Sequence, residues 1–348
     1  MTTPTITADS QTEKIFAWRR GFNAMHLIDI GVEVGLFKAL AAAPNGLTSA
    51  ALAQQLSLNA HFVNVWCTTA YSFELLEANE ASREFKLAPF MDKILASPGH
   101  PRYLGGYVKL GTEFATGDFR RCVDSFKTGN TIPFQGRGEK FANTIAEGTM
   151  GLQVLSARKI LPELPGLAEK LANGGAVLEI GCGAGNHLLQ LANAFPNARI
   201  AGVDIDAESL KVARAKLAKA GLENRVSVFE GDISLATHAG KYDAVVMIEV
   251  LHEIAPAIRA PIINASSAAL APDGYLVIID ETYPTTLTEM RQKDFLFPVQ
   301  TGFEELMWGN VIPTREEQER LLRDAGFSGA IDRSIIGEGF TLLTTQKS

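Results

Sequence analysis

The apolar run Tyr242 to Ile248 leads into Glu249-Val250-Leu251-His252-Glu253. An imidazole just past a strand end can take a proton from a hydroxyl, because its unperturbed pKa is about 6.5. His252 is therefore the candidate general base. A later apolar run ends in Asp280-Glu281, where a carboxylate could orient His252 or an acceptor, with Glu281 favoured over Asp280. A third group is the loop Glu179-Ile180-Gly181-Cys182-Gly183-Ala184-Gly185. Glycines let the chain turn sharply and let a ligand approach the backbone. Their spacing is GxGxG, not the GxGxxG of dinucleotide binders. Asp204 lies 25 residues after Glu179, at the end of the next apolar run. A carboxylate there can accept hydrogen bonds from both hydroxyls of a ribose. Asp232, in Glu230-Gly231-Asp232, could bond the exocyclic amino group of an adenine. Glu179, directly before the loop, suits a ligand carrying an ammonium group better than a pyrophosphate.

His252 also admits a metal reading. It adjoins Glu253, and Glu304 and Glu305 lie about fifty residues on, in a segment that could close over the site. Histidine with carboxylates can hold iron or another divalent ion. No histidine follows His252, so a second imidazole ligand is lacking and no metal is expected. The other histidines, His26, His61, His100, His187 and His238, show no ligand spacing and read as structural or exposed. Cys182 reads as a small packing residue, not a nucleophile. Candidate substrate walls are Phe297, Met307 and Trp308, with Asn310 available to hydrogen-bond an acceptor. Tyr107, near Tyr103 and Phe114, could contribute a further aromatic face. Together they suit a small, largely apolar molecule and not a polymer.

The elements that must position these residues are legible from about Gly175 onward. The runs AVLEI, RIAGVDI, RVSVFEG, YDAVVMI and GYLVIID alternate with helical stretches near Asn186–Ala194, Ala207–Ala220 and Pro261–Leu270. Continuous apolar strands alternating with helices specify a parallel sheet covered on both faces. The late runs AIDRSII and FTLLTT are expected to pair antiparallel at one edge. In such sheets ligands bind beyond the carboxyl ends of the strands, where strand order reverses.

The front half has a different texture. Residues 1–13 read as a disordered tail, followed by one or two packed helices from Ile15 to about Ala43. Thr48 caps a short helix, Asn59 opens a second one running through AHFVNVWCTTAYSFELLE, and Glu84-Phe85-Lys86-Leu87 reads as a wing strand. This winged-helix unit spans residues 14–100. Residues 101–173 form a helical connector with a polar, Gly-rich loop from Thr128 to Gly138, and 174–348 form the α/β domain. A winged helix invites a regulator that binds DNA and senses a ligand. From Asn59 to Glu80 the chain carries no Lys or Arg, however, and cannot neutralise phosphates there. The net charge of −7 over 348 residues argues the same way.

The three cysteines, Cys67, Cys122 and Cys182, are far apart and fit a reducing, cytoplasmic setting. The polar N-terminus lacks a secretory pattern, and no run reaches the roughly 18 apolar residues of a membrane span. Neither nucleic acid nor membrane is expected as a partner.

EIGCGAG, GVDID, EGDI and YDAVVMIEVLHEI resemble the successive motifs of class I S-adenosylmethionine-dependent methyltransferases. VEVGLFKALA, LTSAALAQQLSL and FKLAPFMDKIL resemble the winged-helix dimerisation domain of the small-molecule O-methyltransferase superfamily, which includes plant phenolic and bacterial polyketide enzymes of secondary metabolism. The resemblance spans most of residues 15–345. It implies a Rossmann-like, seven-stranded methyltransferase domain and a homodimer built through the N-terminal domain. It places Gly181, Gly183 and Gly185 around the methionine moiety of S-adenosylmethionine with Glu179 in support, Asp204 on the ribose, and Asp232 with Ile233 at the adenine. Many relatives carry a catalytic histidine in a Leu-His-acid-aromatic segment, and here Ile254 departs from the aromatic position. The leading expectation is O-methylation of a small hydroxylated molecule. The rival is C-methylation of a 2-oxo acid or other enolisable carbon, possible with metal assistance.

Overall fold

The computed structural model describes residues 6–233 and 240–348, so His238 lies outside the described residues. The chain divides into two compact units, Met1–Glu113 and Phe114–Ser348. The segment 101–173, expected as one connector, is thus shared between them.

In the first unit a helix spans Ala8–Glu33. Its first six residues fall in the segment expected as a tail, because Thr7 and Ser10 cap each other reciprocally. Gly35, at φ +79°, breaks it from the short helix Leu36–Ala41. Thr48 accepts from the Ala51 N–H to cap the helix Ser49–Leu56, and Asn59 caps the helix Ala60–Ser72. That second helix is shorter than expected. Glu74 adopts φ +59° and turns the chain, so Leu76 and Glu77 belong to a strand. Strands β1 (Leu47–Thr48), β2 (Leu76–Asn79) and β3 (Glu84–Leu87) form an antiparallel sheet in the order β1-β3-β2. Phe37, Leu52, Trp66 and Cys67 centre its core.

The second unit carries β4 (Ala176–Ile180), β5 (Arg199–Asp204), β6 (Val226–Glu230), β7 (Tyr242–Ile248), β8 (Leu270–Asp280), β9 (Ile331–Ile336) and β10 (Phe340–Gln346). Their order is β6-β5-β4-β7-β8-β10-β9. β6 to β8 pair in parallel, whereas β10 pairs antiparallel with both β8 and β9. Every residue of β4 is buried, as helices on both faces require. One apolar cluster lies on each face, around Val177, Leu188 and Val246, and around Leu178, Val245 and Ile263. The helix expected over Pro261–Leu270 runs from Pro256 to Ala269, with Pro256 at its first position, where a missing N–H costs nothing. Strand order reverses between β4 and β7, which sets the glycine loop beside the segment carrying His252. Among the described residues no helix is long and apolar enough to cross a membrane.

Candidate functional site

The glycine loop leaves β4 and enters the helix Asn186–Ala194. Gly181, Gly183 and Gly185 have φ of +69°, +48° and +76°, the left-handed region that other residues avoid. A Cβ on Gly181 would lie 2.3 Å from Val250 Cγ2, so that glycine lets the two strand ends meet at the reversal point. A Cβ on Gly185 would strike Ala213 Cβ at 2.9 Å, whereas at Gly183 it would meet nothing within 4 Å. Gly183 therefore faces open space. Ala184 packs between Ala146 and Val212, so the helix Glu139–Gly148 covers the loop's other side.

Asp204, at the tip of β5, accepts the Gly183 N–H at 2.7 Å and the Asp206 N–H at 2.8 Å. A carboxylate offers about four lone-pair sites, so two remain for ribose hydroxyls. Burial pushes its pKa up. Asp206 caps the next helix and also accepts the Gly136 N–H, so the connector's polar loop reaches this strand end. Asp232 follows β6 and is half-buried, and Ile233 beside it is buried. Glu179 is buried within β4, its Oε1 3.1 Å from His187 Nδ1 and its Oε2 without a hydrogen bond. An open cradle, acids at three consecutive strand ends and an orphaned buried carboxylate oxygen fit S-adenosylmethionine. Cys182 is buried, and burial followed by the charges of Glu179 and Asp204 holds its thiol well above the ordinary value. Both effects disfavour the thiolate that a nucleophile requires.

Across the reversal point, Asp280 at the end of β8 organises the segment after β7. Its Oδ2 accepts the N–H groups of Val250, Leu251 and His252, at 3.2, 2.7 and 3.3 Å. Its Oδ1 lies 2.8 Å from His252 Nδ1. Glu281 Oε2 is 3.2 Å from the same nitrogen, and Glu305 Oε2 is 3.7 Å from Nε2. Burial alone would lower the imidazole pKa, but the carboxylates of Asp280 and Glu281 outweigh it and raise it well above the usual value. Burial pushes Glu281 up to about 7 and Glu253 up to about 8. Burial, then repulsion from Glu281 and Asp280, raises Glu249 well above the carboxylate range. Glu249 also holds φ +57°, a strained backbone for a non-glycine residue at the end of β7. One ligand atom each from Glu249, His252, Asp280 and Glu281 falls within 4.8 Å of the others.

The structure brings His252, Asp280 and Glu281 together, and the better-placed acid is Asp280, which sequence reading ranked second. The wall candidates fare unevenly. Met307 is fully buried in a cluster with Ala115, Cys122 and Ile132, so it has no surface to offer a ligand. Trp308 joins that cluster and donates its indole N–H to Asp118 at 3.0 Å. Asn310 donates to Glu305 Oε2 at 2.7 Å and thus orients the acid facing His252. The Phe297 ring lies 4.8 Å from that of Phe340. Tyr107 is exposed and belongs to the first unit. Sequence reading missed Arg259, a fully buried guanidinium bonded to the carbonyls of Ile254, His252 and Val311 and, at 2.7 Å, to Glu317. No motif marks it, because its partners, three carbonyls and the Glu317 carboxylate, are brought together only by folding.

A family model described as a methyltransferase domain matches residues 177–274, from β4 to the start of the last parallel strand. A polyketide synthase of Burkholderia thailandensis is 32% identical over 104 residues, 30% of this chain and 5% of that protein. A 3-hydroxy-5-methyl-1-naphthoate 3-O-methyltransferase of Streptomyces sahachiroi is 24% identical over 314 residues, covering 85% of this chain and 84% of that one. Human N-acetylserotonin methyltransferase, solved with S-adenosylmethionine bound, superposes with a TM-score of 0.76 over 99% of both chains at 17% identity. Its likeness is one of fold.

Proposed function

We propose that this chain is a class I S-adenosylmethionine-dependent methyltransferase of the small-molecule O-methyltransferase superfamily, and that it methylates a hydroxyl of a small, largely apolar metabolite with His252 as general base. When bound, S-adenosylmethionine supplies an electrophilic methyl group on a sulfonium. Gly183 and its neighbours would admit the methionine end, Glu179 would take its ammonium, Asp204 the ribose, and Asp232 with Ile233 the adenine. The observation that carries the base assignment is the buried His252–Asp280 pair, which joins the segment after β7 to the end of β8, with Val250 of that segment packed against Gly181. Asp280 holds a proton on Nδ1, which leaves Nε2 to accept the acceptor's hydroxyl proton. Burial of the pair excludes water from that transfer.

The acid excess around His252 also shapes the chemistry. The raised pKa favours the protonated imidazole, and a base must shed that proton first. A cation held beside the ring would oppose the carboxylates and favour its neutral form.

The four-ligand cluster at His252 supports a second reading, metal-assisted C-methylation of an enolisable carbon. Incubation with methyl-labelled S-adenosylmethionine and matched phenol and 2-oxo acid panels separates the two. A methyl ether product formed in the presence of a chelator is expected. A carbon-bound methyl, or activity abolished by chelation and restored by iron, overturns the first reading. We further read the first unit as a homodimer interface. The helix Ala8–Glu33 exposes Ile15, Phe16, Trp18, Phe22 and Ile30, an apolar face that a partner copy would cover. Light scattering at the mass of a single chain would sink that assignment.

A further inference from the structure

The helix after the glycine loop starts at Asn186, and its second residue is His187. The His187 ring is buried at 1% exposure, and neither ring nitrogen has a hydrogen bond. Its Nδ1 lies 3.1 Å from Glu179 Oε1 across the base of the loop. Glu179 Oε2 is likewise buried without a hydrogen bond. Buried polar atoms almost always have partners, so three orphans in one place mark an arrangement completed by something else. An apolar side chain would fill the His187 position without leaving ring nitrogens unsatisfied.

We propose that His187 is a positioning residue for the cofactor's amino-acid end, holding one oxygen of Glu179 so that the other is presented to the ammonium group. This rests on the reading of Glu179 given above. The residues sit at the two ends of one loop, Glu179 where the chain leaves β4 and His187 where it enters the helix. The 3.1 Å approach of Nδ1 to Oε1 restrains the carboxylate's rotamer before the ligand arrives. Preorganisation of this kind strengthens binding by cutting the ordering cost.

Two probes isolate the effect. S-adenosylhomocysteine carries the ammonium and carboxylate, and 5′-methylthioadenosine keeps the adenosine but lacks both. Calorimetric titration of His187→Leu is expected to show S-adenosylhomocysteine weakened by about tenfold, the worth of one charge-assisted hydrogen bond. Binding of 5′-methylthioadenosine should be unchanged. His187→Asn, whose amide nitrogen replaces Nδ1, should restore most of the loss and serves if the leucine variant fails to fold. Equal weakening of both probes, or of neither, overturns the proposal. Glu179→Gln is the control for the underlying reading. If it fails to discriminate between the probes, the ammonium site itself is misassigned. If it discriminates while His187→Leu does not, only the role of His187 falls.

Discussion

Asp280 reaches His252 twice: Oδ1 lies 2.8 Å from the ring Nδ1, and Oδ2 accepts the N–H of His252 and of the two residues before it. One carboxylate therefore fixes both the imidazole and the main chain that carries it. The interaction lowers the Asp280 pKa against a burial effect that would raise it. The charged form of Asp280 is thereby favoured.

Removing the base and removing its anchor should look different. His252→Ala is expected to lower kcat by about 10²–10⁴-fold, the usual contribution of general base catalysis, with S-adenosylhomocysteine affinity unchanged. Asp280→Asn should lower kcat as well, and also cost about 1–3 kcal/mol of stability in urea unfolding, because buried N–H groups lose a charged acceptor. Retained turnover in His252→Ala would sink the base assignment.

The pH profile carries a sign that follows from the charges. The carboxylates hold His252 above its ordinary pKa, so the neutral, reactive ring builds up only as pH rises beyond the usual histidine range. Glu281→Gln removes one of the raising charges, and the acid limb of kcat should move to lower pH. A limb that stays put or moves up contradicts the arrangement. The same protonation stabilises the fold fully below about pH 6.5 and ceases to do so as pH rises through the raised value.

Gly181 and Gly183 make a controlled pair. Alanine at Gly181 meets Val250 at 2.3 Å as well as a φ of +69°, whereas at Gly183 only the backbone angle resists. Gly181→Ala is expected to cost about 1–3 kcal/mol in thermal or urea unfolding, the range for overpacking. Gly183→Ala should cost less stability and chiefly weaken S-adenosylhomocysteine binding by filling the open cradle. A reversal of that order would place the ligand on the other side of the loop.

The parallel sheet and its carboxyl-end residues were readable because period and glycine spacing are local properties. AVLEI, the GxGxG loop and Asp204 fell where the sequence placed them. So did the capping residues Thr48 and Asn59, whose side chains act within three positions. The helix ending at Ser72 was overextended, since a positive φ at a glutamate leaves no trace in composition. The acceptor side resisted most. Met307 and Trp308 have the composition of a binding wall, and only tertiary packing turns them inward. Asp280 could not be ranked above Glu281 from adjacency, because the choice depends on which side of the strand faces the loop after β7.

Arg259 joins the carbonyl of His252 to that of Val311, and Val311 donates its own N–H back to His252. The base and the segment after Gly309 thus move as one bracket. Redesign of acceptor preference has unequal freedom on the two sides of that bracket. Changes at Phe303, exposed on its helix, can reshape the surroundings while the proton acceptor stays where it is. Changes between Asn310 and Pro313 drag the imidazole with them, so a new acceptor gained there comes with a misaligned base.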